Sequence, residues 1–179
     1  MLERRCQVQN EQPMLVTSLQ WHLRQWLSEQ NFEVVGFYRP IRAEPDITQP
    51  LLEWVCQQKE RRLCVPVVDD AASGRMHYSV WNPEYVRMGA FGIEEPEKDV
   101  PIKPDVIFSP CVGVTHDGFR LGNGGGFFDR WLTAQRRQRC DVMAVAVAFE
   151  CLMIEEFTAQ SFDVPMDWIL TESGIRKAE

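Results

Sequence analysis

The sequence lacks the short motifs that mark several common metal, redox and nucleophile sites. Its six cysteines are scattered, and none forms a Cys-x-x-Cys pair, so zinc and redox motifs find no support. The three histidines include no pair with the spacing of metal ligands, and no Gly-x-Ser-x-Gly nucleophile elbow occurs. We expect the cysteines to be free thiols in a reducing cytoplasm.

Long apolar runs and a positive net charge are also missing. No stretch approaches the roughly 20 apolar residues of a membrane span, and residues 1–5 have no apolar core of the signal-peptide type. The net charge of −7 disfavours nucleic acid as a partner, although a local basic cleft stays open. We therefore expect a cytoplasmic protein that binds neither membranes nor nucleic acid.

The sequence does contain an alternation of helix and strand patterns. Its 179 residues, 45% of them hydrophobic, suffice for one domain with a full core. Leu19, Leu23, Trp26 and Leu27 share one face of a predicted helix, which Thr17 could cap. Strands alternating with helices indicate an α/β fold, with a mostly parallel sheet covered by helices on both faces. The predicted helices are 16–29, 47–60, one that follows the glycines near residue 126, and 154–160; the predicted strands are 34–38, 63–68, 76–81, 106–112, 142–149 and 168–170, with a long surface loop at 82–103.

The most informative stretch is rich in glycine. Six of the 11 glycines lie between residues 113 and 126, and four of them lie within residues 122–126. A run of glycines destabilises a fold unless a ligand or special backbone angles require it. Phe128, Trp131 and Leu132 then share a helical face, and the N-terminus of a helix is a natural anion site. With Arg120 adding positive charge, we predict phosphate binding; a flexible surface turn is the alternative.

The glycine-rich stretch is neither a Walker A loop nor a dinucleotide fingerprint, because no Gly-Lys-Ser/Thr follows and Phe127 occupies the third glycine position.

Two carboxylates near this stretch each have two interpretations. Asp129 is either an exposed carboxylate that suits hydrated magnesium or a first-turn helix residue favoured by the helix dipole. Glu44 is either a solvated loop carboxylate or an acceptor for a polar ligand.

Four segments together resemble one enzyme family, the 5-formyltetrahydrofolate cyclo-ligases, also called methenyltetrahydrofolate synthetases. Residues 120–130, Arg-Leu-Gly-Asn-Gly-Gly-Gly-Phe-Phe-Asp-Arg, are similar to the family's Arg-Leu-Gly-Tyr-Gly-Gly-Gly-Tyr-Tyr-Asp-Arg signature. Residues 38–46, 91–96 and 162–167 resemble its Tyr-x-Pro-x-x-x-Glu-x-Asp, Phe-Gly-Ile-Pro-Glu-Pro and His-Asp-Val-Pro-Leu-Asp segments. The glycine segment is specific to the family, and the resemblance extends from about residue 34 to residue 171.

The resemblance implies a fold, a reaction and a set of site residues. The fold would be of the ribose-5-phosphate isomerase and CoA transferase type, with residues 1–179 forming a single cyclo-ligase-like domain. We expect the protein to be a monomer. The reaction would be the ATP- and Mg²⁺-dependent closure of 5-formyltetrahydrofolate to 5,10-methenyltetrahydrofolate, with release of ADP and phosphate. By residue-wise matching, the catalytic residues would be Arg120, Phe127 and Phe128; the ATP-binding residues Arg120, Gly122, Asn123, Gly124, Gly125 and Gly126; the folate-binding residues Glu44, Phe127 and Phe128; and the metal ligands Asp129 and Asp163.

The chain also departs from the family pattern. Phe127 and Phe128 replace paired tyrosines, so two hydroxyl groups are lost. The family begins with a helix whose lysine and arginine contact ATP, whereas the first lysine here is Lys59 and only Arg4 and Arg5 could stand in. We therefore expect residues 1–33 to be a helical but shortened N-terminal segment. The alternative function is a non-catalytic or altered-substrate relative that binds a folate or a nucleotide.

Overall fold

The computed structural model describes residues 2–138 and 141–179, without the side chains of residues 9, 10 and 90. Four α-helices and eleven β-strands alternate along these residues, with 3₁₀ turns at Ala90–Gly92 and Glu150–Leu152. None of the helices in the described residues is long and apolar enough to cross a membrane. The helices are α1 (Leu2–Glu11), α2 (Pro13–Ser28), α3 (Thr48–Val55) and α4 (Phe127–Arg137). The strands are β1 (Val34–Gly36), β2 (Arg62–Asp70), β3 (Arg75–Val80), β4 (Val86–Met88), β5 (Glu94–Pro96), β6 (Val106–Pro110), β7 (Gly113–Val114), β8 (Arg120–Leu121), β9 (Met143–Val147), β10 (Trp168–Thr171) and β11 (Gly174–Lys177).

Seven of the strands form one mixed sheet in the order β11-β10-β9-β6-β1-β2-β3. The five inner strands pair in parallel, and β3 and β11 are antiparallel at the two edges. In the centre, Val35 of β1 pairs with Leu63 of β2 and with Val106 of β6. The predicted α/β class with a mostly parallel sheet is therefore confirmed.

The sheet has an apolar core on each face, because successive side chains of a strand point to opposite sides. Val106 and Phe108 of β6 pack into one core with Leu19 and Leu23 of α2. Ile107, between them in sequence, packs into the other core, which contains Trp131 and Leu132 of α4 along with Ala144 and Ala146 of β9. Coverage on both faces explains why the central strands read as nearly continuous apolar runs.

Local details differ from the sequence predictions in three places. Helix α2 begins at Pro13, before Thr17, and has no side-chain cap; proline fits the first helical turn because its missing N–H would have no helical partner there. The helix predicted at 154–160 is wrong, since Met153 forms a bridge with Val114 and the N–H of Ile154 donates to the Val114 carbonyl. The predicted surface loop 82–103 contains the β4–β5 hairpin.

The carboxyl ends of β1 and β6 position the connections that carry the candidate site residues. The segment after β1 contains Glu44, and β6 leads into the β7–β8 hairpin, whose second strand starts at Arg120. The glycine run 122–126 joins β8 to α4. Because parallel neighbours end at the same edge of a sheet, these segments meet above that edge.

Candidate active site

The glycine run forms a loop that ends in an N-terminal helix cap. The N–H of Val112 donates to the Leu121 carbonyl at 2.7 Å and closes the β7–β8 hairpin just before the loop. Gly126 is the N-cap of α4 with a φ of 60°, and Gly124 has a φ of 89°. Among the described residues no side-chain cap is formed at this end of the helix, so the N–H groups of its first turn face the loop, as an anion site requires.

Among the glycines of the loop, Gly124 and Gly126 have positive φ values and Gly125 does not. A Cβ added at Gly125 would lie 2.7 Å from the ring of Phe127, whereas one added at Gly124 would meet nothing within 4 Å. The backbone of Gly124 therefore depends on glycine for its angle, and Gly125 makes room for the Phe127 ring.

Arg120 and Asp129 form an ion pair beneath the loop. Nη2 of Arg120 donates to Oδ2 of Asp129 at 2.7 Å, and the two side chains are only 4% and 15% exposed. The guanidinium group also lies 5.1 Å from the centre of the Phe128 ring. Within the described residues, Nε of Arg120 is buried without a hydrogen-bond partner. A buried donor of this kind is costly unless a ligand or water completes it.

Asp129 lies in the first turn of α4 and is paired rather than exposed. Besides the Arg120 bond, its Oδ1 accepts a 3.4 Å hydrogen bond from the N–H of Val164. Asp163, next to Val164 in sequence, therefore lies on a segment that contacts Asp129, and its own Oδ2 accepts the N–H of Gln160 at 2.7 Å.

A magnesium ion needs few protein ligands if it also binds phosphate. The part of the chain that the structure describes contains no cluster of three or more His, Cys, Asp or Glu side chains arranged to hold a metal. Mg²⁺ commonly takes one or two carboxylates and completes its shell with water and substrate phosphates. Asp129, with Asp163 on the adjoining segment, fits that smaller requirement.

Glu44 is buried, with only 2% of the residue exposed, so it is not a solvated loop carboxylate. Its Oε2 accepts the N–H of Ile41 at 3.0 Å, and its Oε1 accepts Nδ2 of Asn123 at 3.4 Å. Burial raises the pKa of Glu44, although these hydrogen bonds and the charge of Arg5 oppose the shift. The bond to Asn123 joins the segment after β1 directly to the glycine loop.

Arg5 of α1 reaches into this region and is fully buried. Its Nε donates to the Arg42 carbonyl at 3.0 Å, its Nη1 donates to the Cys111 carbonyl at 3.2 Å, and Nη1 lies 3.6 Å from Oε1 of Glu44. Its Nη2 is buried without a partner among the described residues. The sequence did not determine whether Arg4 or Arg5 would face the site, and the structure brings Arg5 there.

The thiol of Cys111 lies beside this ion pair but is not reactive. Its Sγ donates to the Val147 carbonyl at 3.2 Å. Burial raises the pKa of Cys111 to about 12, against the lowering influence of Arg120 and Arg5. A thiol with such a pKa stays protonated at neutral pH, so it is not a nucleophile.

Aromatic rings line the other side of the glycine loop. Phe127 and Phe128 begin α4 and are half-buried. Phe91, in the β4–β5 hairpin, lies edge-on to Phe127 with 6.0 Å between ring centroids. Phe91 is 65% exposed and has a φ of 58°, an angle that is uncommon for a bulky residue. The structure therefore adds Phe91 to the predicted aromatic residues; its segment was recognised in the sequence, but its contact was not.

The structure brings most of the predicted site residues together in two linked groups. Arg120, Phe128 and Asp129 form one group, and Glu44 and Asn123 form the other. The sequence did not single out Arg5, because nothing local in α1 indicates that this charged side chain will be buried against a segment more than a hundred residues later in the chain. Asp163 joins the first group only through its neighbour Val164.

The chain is similar in sequence to known cyclo-ligases. The family model described as the 5-formyltetrahydrofolate cyclo-ligase family matches residues 1–172. The chain is 31% identical over 134 residues to 5-formyltetrahydrofolate cyclo-ligase of Escherichia coli (strain K12), covering 72% of each chain. It is 30% identical over 159 residues to the Mycolicibacterium smegmatis protein of the same name, covering 83% of this chain and 79% of that one.

The fold is similar to that of a solved structure. The NMR structure of Aquifex aeolicus 5,10-methenyltetrahydrofolate synthetase superposes with a TM-score of 0.80 and 28% sequence identity, covering 99% of this chain and 89% of that one. The match extends beyond the glycine signature to the whole sheet and its helices. The chain therefore belongs to the 5-formyltetrahydrofolate cyclo-ligase family.

Proposed function

We propose that this chain closes 5-formyltetrahydrofolate to 5,10-methenyltetrahydrofolate with ATP and Mg²⁺, releasing ADP and phosphate. Family membership supports the activity. The observation in this chain that carries the proposal is the buried Arg120 next to the glycine loop, which is held by Asp129 and whose Nε has no hydrogen-bond partner among the described residues. Such a preorganised cation suits the phosphates of a nucleotide.

The chemistry requires positioning and charge neutralisation more than a covalent step on the protein. A formyl oxygen is a poor leaving group, so ATP would supply the phosphoryl group that activates it for attack by the second folate nitrogen. In our proposal Arg120 and the loop N–H groups hold the phosphates and orient the terminal one. The loop residues assigned to this role are Gly122, Asn123, Gly124, Gly125 and Gly126.

The same proposal assigns the metal and the folate to adjoining residues. Asp129 and Asp163 would hold Mg²⁺, which would offset phosphate charge during transfer. Glu44 would accept hydrogen bonds from the folate, and Phe127 and Phe128 would line its pocket. The Glu44–Asn123 hydrogen bond supports this assignment, because it holds the folate-binding residue next to the loop that positions the phosphates.

The direct test measures both products. Purified protein is incubated with 5-formyltetrahydrofolate, ATP and Mg²⁺, and the absorbance of methenyltetrahydrofolate and the release of ADP are followed. We expect both products in equal amounts and neither when ATP or folate is omitted. Arg120→Lys should lower kcat at least about tenfold, because lysine cannot reproduce the planar fork of arginine, whereas Arg137→Ala on the exposed part of α4 should not.

A contrary result would favour the alternative function. If ATP and folate bind but neither product forms, the chain is a non-catalytic relative.

Two further expectations have their own tests. Light scattering after size-exclusion chromatography would test the expected monomer, and a dimer would overturn it. Fractionation of cells would test the expected cytoplasmic location, and a membrane-associated fraction would overturn it.

A further inference from the structure

Arg130 makes contacts that the function described above does not use. It is the fourth residue of α4, and its side chain is exposed. Its Nη2 donates to the Gly125 carbonyl in the loop, and its Nε donates to the Gly74 carbonyl at 3.3 Å. Gly74 belongs to the turn between β2 and β3. One guanidinium group therefore joins the glycine loop to a turn that is about fifty residues earlier in the sequence.

The surroundings of Arg130 are shaped to hold its guanidinium group. A Cβ placed on Gly74 would overlap Nη2 of Arg130, and one placed on Gly126 would lie 3.0 Å from Nη1. The guanidinium carbon also lies 5.9 Å from the centre of the Phe127 ring. Two glycines thus leave room for the group, and an aromatic ring lies beside it.

Arg130 complements the second anchor of the loop. On the other side, Asn123 attaches the loop to Glu44. The loop between these anchors contains Gly124, whose positive φ must be maintained for the N–H groups to converge on a ligand. A loop held at both ends loses less conformational freedom when a ligand binds, so preorganisation increases its affinity.

We propose that Arg130 is a positioning residue for the nucleotide, acting by bridging Gly125 and Gly74 and so holding the glycine loop in its phosphate-binding shape. This inference rests on the proposed function, since it assumes that the loop binds the phosphates of ATP. Arg130 acts through the loop backbone rather than by charge attraction to the phosphates. The guanidinium hydrogen bonds to Gly74 and Gly125 are both made to carbonyl groups of the chain itself.

The test compares ATP binding and steady-state kinetics of three variants with the parent. Arg130→Met should raise the Kd and KM for MgATP about tenfold and change kcat and the folate KM much less. Arg130→Lys should be almost as weak, because a single ammonium group lacks the planar fork needed to span two carbonyls. Arg137→Ala, which removes an exposed cation from the same helix, is the control and should match the parent.

A second substitution tests the bridge from its other end. Gly74→Ala should displace the Arg130 guanidinium and raise the Kd for MgATP, but in the Arg130→Met background it should add nothing further. Additive effects would overturn the bridge, as would parent-like ATP affinity in Arg130→Met or full rescue by lysine. Thermal melts accompany each variant, and Arg130→Gln replaces Arg130→Met if the methionine variant loses structure.

Binding and turnover separate this inference from the proposed function. If the parent binds ATP without forming methenyltetrahydrofolate and Arg130→Met weakens that binding, the proposed function falls and the bridge stands. If the parent cyclises folate and Arg130→Met leaves the Kd and KM for MgATP unchanged, the bridge falls and the proposed function stands. If the parent binds no ATP, both are overturned.

Discussion

At the scale of single residues, Phe127 and Phe128 lack the hydroxyl groups that the resemblance to the family signature leads us to expect at these two positions. Phe128 lies below the guanidinium group of Arg120, and Phe127 lies between Phe91 and Arg130. These are contacts of ring faces and edges, which phenylalanine makes as well as tyrosine. The lost hydroxyl groups therefore affect hydrogen bonding to a ligand rather than the packing of the loop.

We predict that restoring the hydroxyls accelerates the enzyme without stabilising it. A neutral hydrogen bond contributes about 0.5–1.5 kcal/mol, hence a several-fold change in rate. Phe127→Tyr and Phe128→Tyr, singly and together, should raise kcat several-fold and leave the melting temperature unchanged. Kinetics and thermal melts check this; a kcat equal to that of the parent in all three variants would show that the hydroxyls only pack.

Gly124 is the loop position at which glycine matters most for backbone angle. Gly124→Ala places a side chain in the left-handed region at a cost of about 1–2 kcal/mol, and open space around the Cβ means that the strain is not accompanied by a clash. We predict a several-fold weaker affinity for ATP, measured by calorimetry. Gly174→Ala, at another positive φ with open space but at the start of β11, should leave ATP affinity unchanged; equal losses in both variants would contradict a local effect.

At the scale of elements, the start of α4 combines a stabilising ion pair with a candidate metal ligand. Because Asp129 balances the buried Arg120, its carboxylate has a structural role whether or not it binds magnesium. Asp163 lies on a loop, and its carboxylate accepts a hydrogen bond from the nearby Gln160 N–H. The two proposed metal ligands therefore differ in how much the fold depends on them.

Asp129→Asn should consequently weaken both folding and MgATP binding. Removing the charge beside a buried guanidinium group should lower the free energy of unfolding by about 1–3 kcal/mol, and Asp163→Asn should lower it by less than 1 kcal/mol. Chemical denaturation measures the first effect, and ATP titrations with and without Mg²⁺ measure the second. A magnesium dependence that is identical in the parent and both variants would remove these residues from the metal site.

The β2–β3 hairpin carries a pH-dependent contact at His77. Its Nδ1 is 2.7 Å from Oδ1 of Asp69 and its Nε2 is 2.9 Å from Oδ1 of Asp99. Ionised carboxylates only accept hydrogen bonds, so both ring nitrogens must be protonated when both bonds form. Burial by itself would lower the pKa of His77, but the bonds to Asp99 and Asp69 outweigh it and the pKa is raised.

The sign of the resulting pH dependence follows from that raised pKa. The stabilisation is fully present below the unfolded-state value of 6.5 and is lost as the pH rises through the higher folded-state pKa. The difference in melting temperature between the parent and His77→Gln should therefore shrink as the pH increases above about 6.5. A difference in melting temperature that stays constant as the pH rises would contradict the prediction.

At the scale of the whole molecule, helix α1 is attached to the sheet through a buried charge. Arg5 joins α1 to the segment after β1, through Arg42 and Glu44, and to the segment after β6, through Cys111. Breaking a buried ion pair by removing one partner is strongly destabilising, because the other charge is left without compensation. The packing of α1 therefore depends on the ionised carboxylate of Glu44, and the burial of that carboxylate depends on Arg5 of α1.

Arg5→Met should lower the free energy of unfolding by about 3 kcal/mol. Arg5→Met combined with Glu44→Gln should recover part of that loss, since the double variant no longer buries an uncompensated carboxylate. Denaturation of the parent, both single variants and the double variant forms a complete thermodynamic cycle. Additive losses would show that the 3.6 Å contact contributes no coupling energy.

The pattern of local residues determined the fold class and the centre of the site. Apolar runs indicated strands covered on both faces, and the segment 120–130 indicated the family and the loop at which we propose phosphate binding. Both are local signals, because strand burial and glycine backbone angles are properties of neighbouring residues. The β4–β5 hairpin and β11 were not predicted, since short strands carry little periodic signal. The helix predicted at 154–160 failed because pairing with Val114 overrode a helical pattern.

Only the tertiary structure decided the state of the charged groups. Glu44 is buried, Asp129 is paired, and Arg5 donates to a carbonyl 106 positions away, although each of these residues belongs to a type that is usually exposed. Whether a charge is solvated depends on which distant segments surround it. In the same way, Arg130 contacts Gly74 because α4 packs near the β2–β3 turn. The sequence by itself determined which residues could perform the chemistry; the packing of segments far apart in the chain decided which of them are paired, buried and free to meet a ligand.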